Sequence, residues 1–498
     1  VNQCFCRARV NRYGWRMNRL LVVMAGMLLP AFVGCANTDD AEPKRECEPE
    51  AFDVSACDAA ALASVKAEGI WNANIVLGSV DTPGTVRLLP ESLLFDTPLT
   101  ERRVEEGTFF LAGDYANGGV SSRLVISGCQ ASSPERVTGV FRRCSNGAAD
   151  LSGDFEAVRV KRMAGEQEAQ GVELVSETPL PRGSAADVFV AGGHAYVTAL
   201  NEGLFIYDVS KTGERPPEKV AELTPSNDVW YRAWVKGQTL YVSSYREGVV
   251  LYDVSNPKAP KRITDTSWRQ TVQGWGLFVD QDRLYLMSPA PRAEVLIYDI
   301  QVPTKPSLQA RYYEEKSVMA NGETPVEGVV VNDRLYLGHW RYGLVVADVS
   351  KPTKPVTLGR YGYDKATSRP VAAGLIDGRM IAFEASEGWN SRVRALNVTD
   401  PAHIEQVGQF QLRPESTVSA MTLVGTKLYV AHAQDGLRIL DVSNPSTPKQ
   451  QAYYNTWRES DPGRGRAFLE GLSGVKVPGD GYLYAAETSR GLLVFREQ

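Results

Sequence analysis

Ten residues of this chain have the types and clustering of a recognition surface: Trp230, Tyr231, Arg232, Trp268, Arg269, Trp340, Arg341, Trp389, Trp457 and Arg458. Trp, Tyr and Arg each combine a large buriable area with a polar handle, which is why they dominate binding hot spots. Side chains able to do bond chemistry are sparser. Among 4 histidines, His339 and His432 share one region of a repeating unit with Glu384, Glu387, Asp435 and Glu487, donor types a metal-dependent hydrolase needs. His194 and His403 lie elsewhere in that unit. The chain has no His-Glu-x-x-His, no Gly-x-Ser-x-Gly and no phosphate-cradling glycine loop. No catalytic residue, metal ligand or cofactor is assigned, and binding is the expected activity.

The 498 residues are 43% hydrophobic and 23% charged, the composition of an ordinary globular protein. Collagenous, coiled-coil, wholly disordered and multi-span membrane chains are excluded. A net charge of -5 offers no basic stripe for neutralising phosphates, so nucleic acid is excluded as a partner. Gly (44), Pro (28) and Tyr (21) are spread along the chain, as in many short strands joined by tight turns. The expected class is all-β.

Arg16-Met17-Asn18-Arg19 precedes an apolar run from Leu20 to Val33, short for a bilayer span but long enough for the core of a signal peptide. The run ends at Phe32-Val33-Gly34-Cys35, which resembles the lipobox of bacterial lipoproteins, with Phe32 for the usual Leu and Val33 for the usual small residue. The resemblance implies that residues 1–35 are a lipoprotein signal peptide and that Cys35 becomes an acylated N-terminus. The protein would then be exported and touch the membrane through its lipid anchor only, facing the periplasm or the cell surface. Ala36 after the cysteine resembles the outer-membrane sorting pattern. An ordinary secretory peptide or signal anchor is the alternative. Met17 is the better start, which would make Cys4 and Cys6 irrelevant. Cys47, Cys57, Cys129 and Cys144 remain, an even number that suits disulfides in an exported chain. Of the three possible pairings, Cys47–Cys57 and Cys129–Cys144 close the shortest loops, and Cys129–Cys144 is expected within the domain that follows. The spacing lacks the paired knuckles of a zinc site.

Residues 36–57 are rich in Asp, Glu and Pro and are expected to form an acidic tether. Residues 58–162 alternate with period two, as in Ile70-Trp71-Asn72-Ala73-Asn74-Ile75 and Arg123-Leu124-Val125-Ile126-Ser127, and predict a small antiparallel β domain of about six to eight strands. Its opening Gly69-Ile70-Trp71 resembles the Gly-x-Trp of lipocalin-like barrels; a sandwich is the plainer alternative and the favoured one. Residues 163–171 are a polar linker.

From residue 172 to 498 one unit recurs, clearest at Gly436-Leu437-Arg438-Ile439-Leu440-Asp441-Val442-Ser443-Asn444-Pro445, with copies around Asp208, Asp253, Asp299, Asp348 and Asn397 and a truncated one ending in Arg496. Successive anchors lie 44 to 55 residues apart, a period that indicates a β-propeller. The Asp of each Asp-Val-Ser falls at a strand end, where its carboxylate can accept backbone N–H bonds in an Asx-turn. The repeat resembles the LVIVD repeat family of bacterial and archaeal surface proteins, which implies a seven-bladed propeller on an exported protein and no particular reaction. The last unit lacks an outer strand, and Val172–Pro179 is placed to supply it and close the ring. The ten recognition residues fall in loops between second and third strands or between blades, which form one face of a propeller. The expected function is a lipid-anchored envelope protein binding a protein or a glycan on that face, the alternative being a propeller enzyme of metal-dependent hydrolase or lactonase type.

The lipobox generates a direct expectation. Cells fed a radiolabelled fatty acid should mark the wild-type protein but not Cys35→Ser, and equal labelling of both would refute acylation at Cys35.

Overall fold

Apolar alternation builds the N-terminal domain strand by strand. In the computed structural model, which describes residues 45–117, 119–314 and 323–498, the strands are β1 (Gly69–Leu77), β2 (Val80–Leu88), β3 (Leu93–Leu94), β4 (Thr97–Glu105), β5 (Thr108–Asn117), β6 (Val120–Ser133), β7 (Arg136–Ser145) and β8 (Ala148–Arg159). Cys35 and the rest of the expected signal peptide lie outside the described residues. Each strand pairs antiparallel with the next, and β8 returns to pair with β1, so the sheet closes into a barrel rather than a sandwich. Period-two alternation is common to both architectures, so only the β1–β8 ladder separates them. The inward residues, including Trp71, Ile75, Phe109, Leu111, Ile126, Phe141 and Phe155, fill the interior. This makes the barrel a packed core, not a ligand cup.

A helix α1 (Ala59–Ala63), capped by Asp58 accepting from the Ala61 N–H at 2.9 Å, adds Leu62 to this core. Before it, the expected tether is fastened from Arg45 onward. Phe52 packs edge-on against Phe110 with ring centroids 5.8 Å apart, and the Arg142 guanidinium sits 4.3 Å over Phe52. This strap covers outward apolar residues Phe110, Ala112 and Val125 of the barrel wall. Disulfides Cys47–Cys144 and Cys57–Cys129 clamp both its ends. The expected shortest-loop pairing is therefore wrong, and strand register gives the reason. Cys144 lies opposite Arg123, whereas Cys129 sits in a bulge beside Gly128, which faces Gly139. The two are separated by about five residues along the ladder, roughly 17 Å, far beyond the span of one disulfide.

The propeller has seven sheets. Inner strands are Asp187–Ala191, Trp230–Lys236, Gly276–Asp280, Pro325–Val331, Ser368–Ile376, Ala420–Val424 and Leu472–Lys476 for blades one to seven. The repeat signature has a local cause in each copy. Asp208, Asp253, Asp348 and Asp441 accept the N–H of Ser210, Ser255, Ser350 and Ser443 at 2.8–2.9 Å, the expected Asx-turn. Gly343 and Gly436 open third strands at φ +77° and +78°, where a Cβ would come within 2.1 and 2.3 Å of the carbonyls of Tyr361 and Tyr454. Only glycine fits there. Val172–Thr178 pairs with Gly491–Glu497 as the outer strand of blade seven and closes the ring. The preceding polar stretch is docked as well. Ala169–Gln170 adds a fifth strand to blade six, and Glu166 pairs with the fully buried Arg438.

Non-reducing peptide mapping of the protein should recover Cys47 joined to Cys144 and Cys57 to Cys129. Removing the latter bridge by Cys57→Ser with Cys129→Ser, which spans a sequence separation of 72, should cost about 4 kcal/mol if loop entropy governs. A Cys129–Cys144 peptide would overturn the register described above.

Candidate binding face

Loops between blades and loops joining second to third strands make one face of the propeller, and the barrel sits on part of it. Asn72 of β1 donates to the Glu415 carbonyl at 2.7 Å, in the link between blades five and six. Thr85 and Arg87 of β2 donate to the carbonyls of Gly465 and Arg464 at 3.0 and 3.1 Å, in the link between blades six and seven. Arg159 of β8 makes a two-pronged pair with Glu459 at 2.5 and 3.1 Å. Lys365, between blades four and five, reaches Asp81 at 3.2 Å. The apolar centre of the seat is Ile70, Val160 and Trp457. Glu470 shapes the long link by accepting the N–H groups of Gly465, Arg466 and Ala467 at 2.6–2.9 Å; burial pushes its carboxyl up to about 7 against the pull of those donors.

The seat divides the ten expected residues. Trp457 is 7% exposed, stacked under the Arg464 guanidinium at 4.6 Å. Arg458 is exposed and pairs with Glu177 at 3.2 Å. Trp389 is half-buried beside Phe468 at 6.0 Å. Trp230 is 2% exposed, its indole N–H donating to Asp228 at 3.1 Å and its ring edge-on to Tyr252. It braces blade two and offers no surface to a partner. Trp268 is half-buried, donating to the Asp265 carbonyl at 2.9 Å, and Arg269 pairs with Glu247. Trp340 and Arg341 are half-buried in the second-to-third-strand loop of blade four.

Tyr231 and Arg232 belong to the propeller axis instead. Arg232 on blade two pairs with Asp187 of blade one at 2.9 Å and, across the axis, with Glu327 of blade four. Glu327 also takes Arg369 of blade five at 3.2 Å, and Arg369 continues to Glu387. Burial alone would raise the Glu327 carboxyl, but Arg232 and Arg369 outweigh it and hold it below the usual carboxylate range. Arg232, expected on the partner-binding face, instead joins this cluster, whose members lie on four different blades and carry no contiguous motif. Asp187, Arg232 and Glu327 share a signal, a charged residue four positions before the last residue of an inner strand, whereas Arg369 lies seven before the end of its own.

The two loop histidines do not converge on a common donor set. His339 stacks on Tyr342 with centroids 4.6 Å apart, and burial, with the Arg360 charge, pushes it down to about 3. His432 Nδ1 lies 3.2 Å from both Ser416 Oγ and Asp435, and Asp435 is held by Arg413 at 2.6 Å. Ser416 and Asp435 share one ring nitrogen, so the trio lacks the relay geometry of a hydrolase, in which nucleophile and carboxylate use opposite nitrogens. Among the described residues, no group of three His, Cys, Asp or Glu side chains is placed to hold a metal.

Residues 182–213, 231–264, 329–362 and 418–456 match the LVIVD repeat family, in blades one, two, four and six. No curated protein matches the chain. Similar solved structures include a computationally designed protein, Ika8, at 8% identity over 65% of this chain and 99% of that one with a TM-score of 0.44. A chain of the mitotic checkpoint complex is 12% identical over 68% of this chain and 99% of that one, TM-score 0.49. The WD40 β-propeller domain of Doa1 is 10% identical over 66% and 97%, TM-score 0.49.

Burial separates the tryptophans by role. Trp230→Ala should lower stability by about 3 kcal/mol or more, whereas Trp340→Ala should change it by under about 1 kcal/mol. Melting of the two variants beside wild type tests the division; equal losses would show that both brace the fold.

Proposed function

We propose that this propeller of LVIVD repeats is the binding module of a lipid-anchored cell-envelope protein, and that its partner, a protein or a glycan, docks on the loop face over blades two to four. The observation that carries this is the split of the loop face. The barrel occupies the loops of blades five to seven, while Trp268, Trp340 and Arg341 keep exposed surface on the remaining sector. Aromatic anchors backed by arginine are the residues through which partners gain most affinity, because their large area is desolvated at little entropic cost. The packed barrel supports the same assignment, since its interior leaves the loop face to do the binding. Placement in the envelope rests on the lipobox-like Phe32-Val33-Gly34-Cys35 and on two disulfides, which persist in oxidising compartments.

The test is capture from detergent-solubilised envelope with the full-length exported protein, followed by titration of the recovered partner. Trp340→Ala should weaken binding about thirtyfold, on the order of 2 kcal/mol, while Gln238→Ala on the opposite face should bind as wild type. A Trp340→Ala protein that binds normally would move the site away from this sector.

A further inference from the structure

The two disulfides that clamp the strap from Arg45 to Cys57 differ in their surroundings. Cys47 and Cys144 are each 2% exposed and pack with Phe52 and Phe110 in one apolar cluster. A groove of about 410 Å³ reaches that bridge, but Arg45, Glu48, Asp114 and Arg123 make up its walls and both cysteines stay covered. The strap around it is well tied. Arg142 donates to the Glu46 and Ala51 carbonyls at 2.8 and 3.1 Å, and Glu46 accepts the Ala149 N–H at 2.7 Å. At the other end Cys57 and Cys129 are only half-buried, and Asp53, Val54, Ser55 and Ala56 are exposed. The Asp53 carboxylate takes the Ser55 N–H and hydroxyl at 3.0 and 2.6 Å, and the Cys57 N–H turns back to the Val54 carbonyl at 3.1 Å. This half of the strap bonds to itself. Among the described residues its covalent and hydrogen-bonded ties to the barrel are the Cys57–Cys129 bridge and, next along the chain, the Asp58 N–H on the Cys129 carbonyl at 2.9 Å.

We propose that Cys57–Cys129 is a redox-operated clasp and Cys47–Cys144 a permanent staple: a dithiol reductant opens the clasp in the folded protein and loosens the strap over the apolar wall of Phe110, Ala112 and Val125. In the exchange one thiolate of the dithiol attacks a sulfur of the bridge, the S–S bond breaks as a mixed disulfide forms, and the second thiol of the reductant displaces the protein sulfur. Cys57 and Cys129 end as thiols, gaining the two electrons and two protons that the dithiol loses as it closes its own disulfide. Access to sulfur sets the order of the two bridges. Arg123 beside Cys47 would draw in a thiolate, but Glu101 and Asp114 already neutralise it, and charge acts only on a reagent that reaches the sulfur. With the clasp open, the segment before Asp58 regains the chain entropy that the bridge had removed, and Phe52 under Arg142 is left to hold the centre of the strap. The apolar wall beneath is a cluster separate from the barrel interior, so the clasp opens without unpacking Trp71 or Phe141. In an oxidising compartment both bridges persist, and the clasp opens only where a dithiol is delivered to it.

The experiment uses the full-length oxidised protein with dithiothreitol as the reductant; aliquots are quenched with iodoacetamide and the alkylated cysteines mapped by mass spectrometry. Cys57 and Cys129 should be alkylated about tenfold faster than Cys47 and Cys144, or more, while tryptophan emission stays that of the oxidised protein. A protease that cuts after glutamate should cleave at the exposed Glu50 about tenfold faster once the clasp is open. Cys57→Ser with Cys129→Ser should show the same fast cleavage with no reductant present. Equal alkylation of the two pairs, or earlier reduction of Cys47–Cys144, would overturn the assignment of clasp and staple. Loss of native tryptophan emission in step with the first alkylation would make both bridges structural staples. Fast alkylation of Cys57 and Cys129 with unchanged cleavage at Glu50 would refute the loosening of the strap.

Discussion

Side chains of β1 and β2 hold the barrel to the propeller by donating to main-chain carbonyls of the loops after blades five and six, Arg159 of β8 adds its pair with the Glu459 carboxylate, and Trp457 is wedged against Ile70 and Val160 at the centre of the contact. Main-chain acceptors are fixed by the loop's path, so this joint depends on Glu470 and its three N–H donors keeping that path in shape. The geometry of the joint settles which loops face a neighbour inside the chain and which are left to solvent.

The axial cluster has a different physical character. Arg232, Glu327 and Arg369 come from blades two, four and five and meet where the inner strands converge. A buried pair of this kind adds little net stability compared with well-packed apolar residues, but removing one member strands the others at a cost of several kcal/mol. It therefore acts on specificity: the blades take one arrangement about the axis because other arrangements leave a charge without its partner. The pairs bridge inner strands of blades two, four and five.

Much of the propeller was legible because each blade repeats the same local solution. The Asx-turn at Asp348 ends a third strand and the left-handed glycine at Gly343 opens it, and both recur in most blades and set the period. Ring closure was legible for a related reason, since Val172–Thr178 carries the alternation of an outer strand that the last blade lacks. The barrel was only half legible: residues such as Trp71 and Ile75 alternate correctly in a sandwich or a barrel, and closure lies in a ladder that no local pattern announces. The disulfide pairing failed because loop length was weighed without register, and the strap from Arg45 to Cys57 looked polar although Phe52 alone pins its middle. Among the tryptophans, sequence gave type and loop but not depth. Trp230 and Trp340 look alike until Asp228 is seen to claim the indole of the first.

Ring closure by an outer strand that precedes blade one has a consequence for how the chain reaches its fold. Gly491–Glu497 must find Val172–Thr178 across more than three hundred residues, the longest-range strand pairing among the described residues. Contacts of such separation form late, because their loop-closure entropy is met before they return any stabilisation. Until Gly491–Glu497 has been made and delivered, blade seven lacks its third strand, Val172–Thr178 has nothing to pair with, and the ring stays open between its first and last sheets. Loss of the Gly491–Glu497 strand alone would therefore leave six intact blades and an unzipped ring, a species whose bare strand edges invite pairing with other chains.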